Sequence, residues 1–391
     1  MRRSRSITDG DLLSGWKAIG DFLHCTERTA QRWEGQDNLP ILRPNKDGKG
    51  RVFASKLALN AWLKGGIEQA VMTGNRLVAF GRAGKILWEH EFSAPLRNYT
   101  REEMEWRLQL ADFQGSGNRG VLATIQFSAP GTSDRVFYFS SEGKVEWAFE
   151  PKPQLSKRDG TDFENAWIVK HAVIVPAPEG KTVFLAMANV AGWGGCILRV
   201  DAEGRSAVQF ANAGHVECLG CVASPDGDLF VACGENNDFD CAFVALLGAD
   251  DPPASSVPGK RLVYRFANAP DAQARKYILF PKTELIAARK KPYGHATRVR
   301  QHQDRLVVEV ETGGEGACFL YHFSEDLDPM YVFPSGSHEF VHQALESAGA
   351  LTHSWKACPE LDRSLLLEVW TPTLGWQTRE IVWRDNPWRN E

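Results

Sequence analysis

Apolar residues recur at spacings of three and four near the start of the chain. Trp16, Ile19, Phe22 and Leu23 form such a stripe, which predicts an amphipathic helix, and Ser14 stands where a capping side chain would accept a backbone N–H bond. The pattern breaks at His24-Cys25-Thr26 and resumes in a second helix through Trp33, with Thr26 as its cap, Ala30 and Trp33 inward, and Glu27, Arg28, Gln31 and Arg32 outward. Two short apolar pieces follow, Leu39–Leu42 and Arg51–Ala54, separated by Asn45-Lys46-Asp47-Gly48-Lys49-Gly50. Asp-Gly supplies the positive φ angles of a tight hairpin turn. Ser55 caps a third helix bearing Leu57, Leu59, Ala61 and Trp62, which stops at Gly65-Gly66.

Beyond about residue 70 the period changes to alternation with frequent turn signals, and an internal repeat emerges. Phe80–Trp88 aligns with Phe139–Trp147, glycine on glycine (Gly84, Gly143) and tryptophan on tryptophan, and Val200–Val208 fits the same frame around Gly204. Looser copies centre near Gly259, Asp326 and Thr373. Further strand pairs flank Pro178-Glu179-Gly180 and Ser224-Pro225-Asp226-Gly227, and Arg305–Glu311 and Arg363–Trp370 read as strands. Two hairpins in roughly 60 residues make a four-stranded blade, so the fold class expected is a small α+β domain, residues 1–66, followed by a large all-β domain, residues 67–391, most simply a β-propeller of about six blades. A pair of β-sandwiches is the second choice.

Composition changes this picture little, and charge changes it more. With 43% hydrophobic and 24% charged residues among 391, the chain is globular in type. It has no apolar run near the ~20 residues of a membrane helix and no apolar segment of signal type at its start, so a soluble, cytoplasmic protein without membrane partners is expected. The net charge of −4 is unevenly spread: residues 1–66 hold 12 Lys/Arg against 7 Asp/Glu, and the remainder is net acidic. The head alone is expected to meet a polyanion. Eight cysteines in such a chain read as reduced, mostly buried thiols.

The head resembles the winged helix-turn-helix domains of the MerR and excisionase type. The resemblance rests on Gly15-Trp16-Lys17-Ala18-Ile19, Arg28-Thr29-Ala30-Gln31-Arg32-Trp33, and the Lys-Asp-Gly-Lys wing followed by Arg51-Val52-Phe53-Ala54. His24 stands where the family's turn carries glycine, a place histidine tolerates better than most. The family's coiled-coil helix has no counterpart, because the strand pattern begins soon after Gly66. The resemblance implies double-stranded DNA as partner, with Arg28, Thr29, Gln31 and Arg32 of the second helix in the major groove and Lys46, Lys49 and Arg51 of the wing on phosphates. The body resembles propellers of the Trp-Asp-repeat or TolB-like kind, and Leu110–Asn118 resembles the calcium loop of FG-GAP-type blades.

Other chemistry is thinner. His215, Cys218 and Cys221, with Cys233 and Cys241 downstream, have zinc-like spacing, but an odd separation sends Cys218 and Cys221 to opposite faces of a strand. Packed thiols are expected instead, with Cys221 and Cys233 as neighbours across the turn. Asp112 is the one carboxylate of the calcium-like loop, beside Gln114, Ser116 and Asn118, so no calcium is expected. Asp162, Glu164, Glu217, Asp238 and Asp240 are scattered acids that nominate no catalytic pair, and His295, His302, His322, His338, His342 and His353 crowd the last third without a motif. The expectation is therefore no enzyme, no metal and no cofactor. A DNA-binding transcription regulator is expected, dimeric through a body that takes a small ligand or partner protein. Two alternatives are an interaction scaffold with an excisionase-like architectural head, and a propeller enzyme with a DNA-binding appendage.

Overall fold

The computed structural model describes residues 12–37, 39–43, 51–63, 66–113, 118–128, 134–163, 167–177, 180–222, 229–259, 266–314, 316–362 and 364–384. Residues 12–63 contain β1 (Leu12–Ser14), α1 (Trp16–Phe22), α2 (Glu27–Asp37), β2 (Phe53–Ser55) and α3 (Lys56–Leu63). β1 lies antiparallel to β2 with Leu13 opposite Ala54. That pairing takes Ser14 into the strand, so the residue capping α1 is Gly15, at φ 87 and with no side-chain bond, rather than Ser14. The other two caps sit where the apolar spacing puts them. Thr26 Oγ1 accepts the Thr29 amide at 3.2 Å and Ser55 Oγ accepts the Ala58 amide at 3.4 Å.

Between α1 and α2 the chain reverses through His24 at φ 53, in the left-handed region. Ile19, Leu23, Ala30, Leu39, Val52, Ala54, Leu59 and Trp62 make a single small core. Trp33 covers Trp62 with ring centroids 5.4 Å apart. Leu42 and Phe53 bridge the two apolar pieces. The Asn45–Gly50 turn, with Lys46 and Lys49, lies outside the described residues.

The body is largely β. It contains five antiparallel meanders in chain order. The first is β3 (Gln69–Thr73), β4 (Arg76–Phe80) and β5 (Ile86–Glu91). After α4 (Arg101–Arg107) come β6 (Leu108–Ala111), β7 (Gly120–Ile125), β8 (Arg135–Phe139) and β9 (Val145–Phe149). The third is β10 (Trp167–Ala177), β11 (Gly180–Asn189), β12 (Gly195–Val200) and β13 (Ser206–Asn212). The fourth holds β14 (Val216–Cys221), β15 (Leu229–Asn236) and β16 (Cys241–Gly248). A detour through β17 (Ala254–Ser255) and β18 (Ala272–Gln273) precedes its last strand, β19 (Lys276–Leu279). After α5 (Glu284–Ala288) the fifth is β20 (His295–His302), β21 (Arg305–Gly314), β22 (Ala317–Phe323) and β23 (Pro329–Pro334). Helices α6 (Gly336–Ser347) and α7 (Pro359–Asp362) lead to a final hairpin, β24 (Leu365–Thr371) and β25 (Gly375–Trp383).

Successive sheets stack face to face, which the side-chain alternation shows directly. In β7, Val121, Ala123 and Ile125 join the core shared with the first meander, while Leu122 joins the core shared with the third. In β15, Phe230 and Ala232 face the third meander, whereas Val231 and Cys233 face the fifth. A strand buried on both faces reads as a near-continuous apolar run, and so do β7, broken only by Thr124, and β15 from Leu229 to Cys233. Sheets packed in sequence order in this way make a propeller-like body.

The repeat has a packing reason. Gly143 and Gly204 turn their hairpins at φ 83 and 81. A Cβ on Gly143 would come within 2.6 Å of Trp88, and one on Gly204 within 2.6 Å of Trp147. Each tryptophan thus lies beneath the glycine turn of the next meander, and Trp147 Nε1 also donates to Ala202 O at 3.0 Å.

Of the later copies, Gly259 lies in the detour between β17 and β18, which add parallel pairings at the edge of β13, and residues 260–265, which would complete that copy, lie outside the described residues. One expectation needs correction. The copy near Thr373 is a hairpin but no sixth blade. β24 pairs with β19 and β25 pairs parallel with β23, so the hairpin covers the outer edges of the fourth and fifth meanders. Among the described residues the count is five meanders and this hairpin, against about six blades expected. No described helix is long and apolar enough to cross a membrane.

Candidate functional site

On the head, Arg28, Gln31 and Arg32 are exposed along the N-terminal half of α2, opposite the buried Ala30. Thr29 is half-buried, and its hydroxyl lies 2.9 Å from that of Thr26, so it serves the helix cap. Arg51 is exposed next to buried Val52 at the entry to β2. Glu34 holds Arg43 through two contacts of 3.0 and 2.7 Å, tying the segment after α2 back to the helix. The outward face of α2 therefore offers two guanidinium groups and a carboxamide, with Glu27 at its first turn.

In the body, β6, β10, β14 and β20, each the first strand of its meander, converge with α4 around a cavity of about 740 Å³. Gln109 Nε2 donates to Ala172 O at 2.9 Å and links β6 to β10. At one wall Arg107, 3% exposed, lies between the rings of Trp106 and Tyr99, at 4.2 and 4.5 Å. It also donates to Thr124 O at 3.3 Å. Burial lowers its pKa, though the fields of Tyr99 and Asp134 oppose the shift. Asp134, also buried, accepts the Val169 amide at 2.7 Å through one oxygen. Its pKa is raised, because burial outweighs that bond and the field of Arg107.

A polar chain leads from the cavity into the fourth and fifth meanders. Lys170 pairs with Glu217 at 2.8 Å, and His215 Nδ1 lies 3.8 Å from Glu217 and 3.3 Å from Glu235. Glu235, 2% exposed, contacts His295 at 2.6 Å. Burial works to raise the Glu235 pKa, but the His295 bond and the two imidazoles bring it below the usual value; the same bond raises His295. Trp193 stacks on His215 at 5.7 Å. Of this set the sequence had marked Glu217 and His295 as isolated residues, and His215 only as part of a zinc-like spacing with Cys218 and Cys221. The rest come from separate sheets, and no local spacing announces them.

The cysteines also differ from expectation. A register shift between Val216 and Cys218 sets Cys218, not Cys221, opposite Cys233; Cys221 faces Phe230 and is exposed. Cys218 lies at the cavity wall. Its thiol is held well below the usual value by Cys233 and, against burial, by His171, while burial and the Cys218 charge raise Cys233. His215, Cys218 and Cys221 do not converge as metal ligands among the described residues. Of the calcium-like loop, Gln114 and Ser116 lie outside the described residues, as does Glu164. Asp162 is exposed and Asp238 buried. His322 packs on Tyr331, and His338 Nδ1 lies 2.9 Å from the Thr312 hydroxyl.

No protein-family model matches the chain, and no curated protein matches it. Several solved structures resemble it at low identity. They include BBS1N in complex with ARL6DN (7% identity, 68% of this chain and 63% of that chain, TM-score 0.34). The Dos1 propeller is another (9%, 75% and 78%, TM-score 0.31). So is the β-propeller domain of the Trilobed protease from Pyrococcus furiosus (10%, 71% and 85%, TM-score 0.25). The chain spans less than two thirds of the BBS1N chain. Likeness at these scores carries no argument about function, and the propeller-like reading of the body stands on its own sheet packing.

Proposed function

We propose that the chain is a DNA-binding transcription regulator whose winged helix-turn-helix head reads duplex DNA and whose body takes a small polar ligand in its axial cavity. The observation that carries the reading is the exposed row Arg28, Gln31 and Arg32 on α2, the second of two helices joined by the His24 turn. In a helix-turn-helix that helix enters the major groove, where Arg pairs with guanine and Gln with adenine. Arg51, with Lys46 and Lys49, would meet phosphates. The body's Arg107, Lys170 and Asp134 suit a ligand bearing both anionic and hydrogen-bonding groups. Two heads on inverted half-sites need a two-fold dimer. The body would supply its surface, since only five residues separate α3 from β3.

The test is binding of the full chain to duplex DNA over a salt series. The logarithm of affinity should fall by about 0.9 per log unit of salt for each phosphate neutralised, and Arg28→Glu with Arg32→Glu should abolish binding. A flat salt response sinks the reading. A second reading, an enzyme, is favoured by one observation: the Cys218 thiol at the cavity wall, which His171 also lines, with Cys233 opposite it across the strand pair. Labelling of one thiol by a small alkylating reagent at neutral pH, lost in Cys218→Ser, would support that reading; unreactive Cys218 would remove it.

A further inference from the structure

Outside the head and the axial cavity, four side chains from two parts of the fold meet at one point. Glu284 opens α5 behind Thr283, whose hydroxyl accepts the Ile286 amide at 3.4 Å. His342 lies inside α6, His353 follows that helix, and Cys358 sits between the turn Trp355–Ala357 and α7. Glu284 Oε1 is 3.2 Å from His342 Nε2, 3.1 Å from His353 Nε2 and 2.9 Å from Cys358 Sγ. The two Nε2 atoms are 3.3 Å apart, and all four donor atoms lie within 4.8 Å of one another. His342 is 0% exposed and Cys358 1% exposed, while Glu284 and His353 are half-buried and leave one side open to solvent.

Hydrogen bonding alone does not account for this convergence. If both imidazoles and the thiol carried protons toward the centre, three donors would crowd one carboxylate oxygen. If either imidazole turned a lone pair inward, it would face that oxygen's lone pairs at about 3 Å. A cation at the centre satisfies every donor atom at once. Zinc takes nitrogen and oxygen at about 2.0–2.2 Å and sulfur at about 2.3 Å in a tetrahedron. Those lengths give edges of roughly 3.3 Å between nitrogens and roughly 3.5 Å to sulfur. The nitrogen and oxygen separations already match; to seat the ion, Cys358 Sγ has to move from its 2.9 Å contact with Glu284 outward by about half an ångström and settle at the same distance from the two nitrogens, from which it already lies within 4.8 Å.

We infer that Glu284, His342, His353 and Cys358 form a divalent metal site of the zinc class, which pins the helical excursion between β23 and β24 onto α5. A thiolate with two imidazoles selects zinc-like ions over calcium or magnesium, which take oxygen ligands. Four protein ligands close the tetrahedron, the mark of a structural rather than a catalytic ion. The location supports that role. Among the described residues the excursion's aliphatic core is small, Leu285, Ala317 and Val341 with Leu345 and Leu351 against them, beside the stack of His338 on Phe319. A segment with so little apolar burial gains most from a cross-link that exists only in the folded state.

The experiment takes the full chain, stripped with a chelator, and adds Zn²⁺ alone and then Co²⁺ alone. One equivalent of zinc per chain is expected at micromolar concentration, and Co²⁺ should give tetrahedral d–d bands with a thiolate-to-metal charge-transfer band. Cys358→Ser should remove the charge-transfer band, and His353→Asn should weaken zinc binding at least about tenfold. Cys218→Ser should leave both unchanged. Folded wild-type protein that takes up less than a tenth of an equivalent, or a cobalt spectrum without thiolate character, overturns the site whether or not the variants fold. A charge-transfer band that survives Cys358→Ser and disappears in Cys218→Ser overturns it too, by placing the ion at the axial cysteines.

Discussion

The head buries its apolar side chains in one cluster of eight, Ile19 to Trp62, fed by three short helices and a two-stranded sheet. The body divides each middle sheet between two clusters, so that every interior strand contributes to both neighbours. The difference decides where polar chemistry can sit. A single small core has no room for a charged group, and Arg28, Gln31, Arg32 and Arg51 stand on its surface. The body's redundancy tolerates ionisable groups in its interior: Arg107, Asp134 and Glu235 are each 3% exposed or less. Surface charge in the head should matter to binding and hardly to stability; interior charge in the body should do the reverse.

The largest effect expected on that basis is at Arg107. Arg107→Ala removes a guanidinium held between two aromatic rings and hydrogen-bonded to Thr124 O, and takes away the larger of the two positive fields, Arg107 and Arg97, on buried Asp134. A loss of about 3–4 kcal/mol is expected, from two desolvated cation–π contacts of about 2 kcal/mol each, read from urea unfolding followed by tryptophan fluorescence. A loss under about 0.5 kcal/mol, the range of ordinary surface substitutions, would mean that water reaches the group and that the contrast between the two regions is overdrawn.

The same contrast explains what was legible in the sequence. The head's helices follow from a local spacing, and only the cap of α1 escaped. Ser14 is drawn into β1 by a partner strand some forty residues on, and no local rule sees that far. The first three meanders were legible because one glycine and one tryptophan recur at fixed positions to pack against each other, Trp88 on Gly143 and Trp147 on Gly204. The third copy ends in Val208, and the signal fades there. Interior polar groups were illegible for a different reason. Arg107, His171 and Cys218 belong to α4, β10 and β14, and only the stacking of sheets brings them to one cavity. The histidine-rich last third was noticed, but without Glu284, far upstream on α5, His342, His353 and Cys358 have no familiar spacing.

Arg28 tests the head's half of the comparison at a middle scale. Arg28→Ala and Gln31→Ala should cost about 1–3 kcal/mol on the preferred duplex and relax the sequence preference, while stability stays within about 0.5 kcal/mol. Arg51→Ala should weaken binding to all sequences alike and reduce the salt slope by about 1. Competition binding against a randomised duplex library separates the two kinds of residue. An unchanged preference profile in Arg28→Ala would take that arginine out of base reading.

The smallest effect concerns acid, and it too falls on the body. The head's one histidine, His24, is exposed. His322, by contrast, is 6% exposed on β22 and stacked on Tyr331 at 4.4 Å, and neither ring nitrogen has a hydrogen-bond partner. Burial first, then Arg305, His302 and Arg300, lower its pKa to about 4. The folded protein therefore keeps this ring neutral down to about pH 4, whereas the unfolded chain protonates it near 6.5. Between those values the unfolded state binds a proton that the native state refuses, so stability falls as pH falls, by up to about 1.4 kcal/mol per unit. His322→Phe keeps the stacking and removes the titration. Between pH 7.5 and pH 5 the wild type should lose about 1–2 kcal/mol more than the variant, allowing for partial screening near the rim of the sheet. Urea melts of both proteins across that range check it. Parallel curves would mean that His322 finds a proton acceptor on acidification, and the body's acid sensitivity would then have to come from another group.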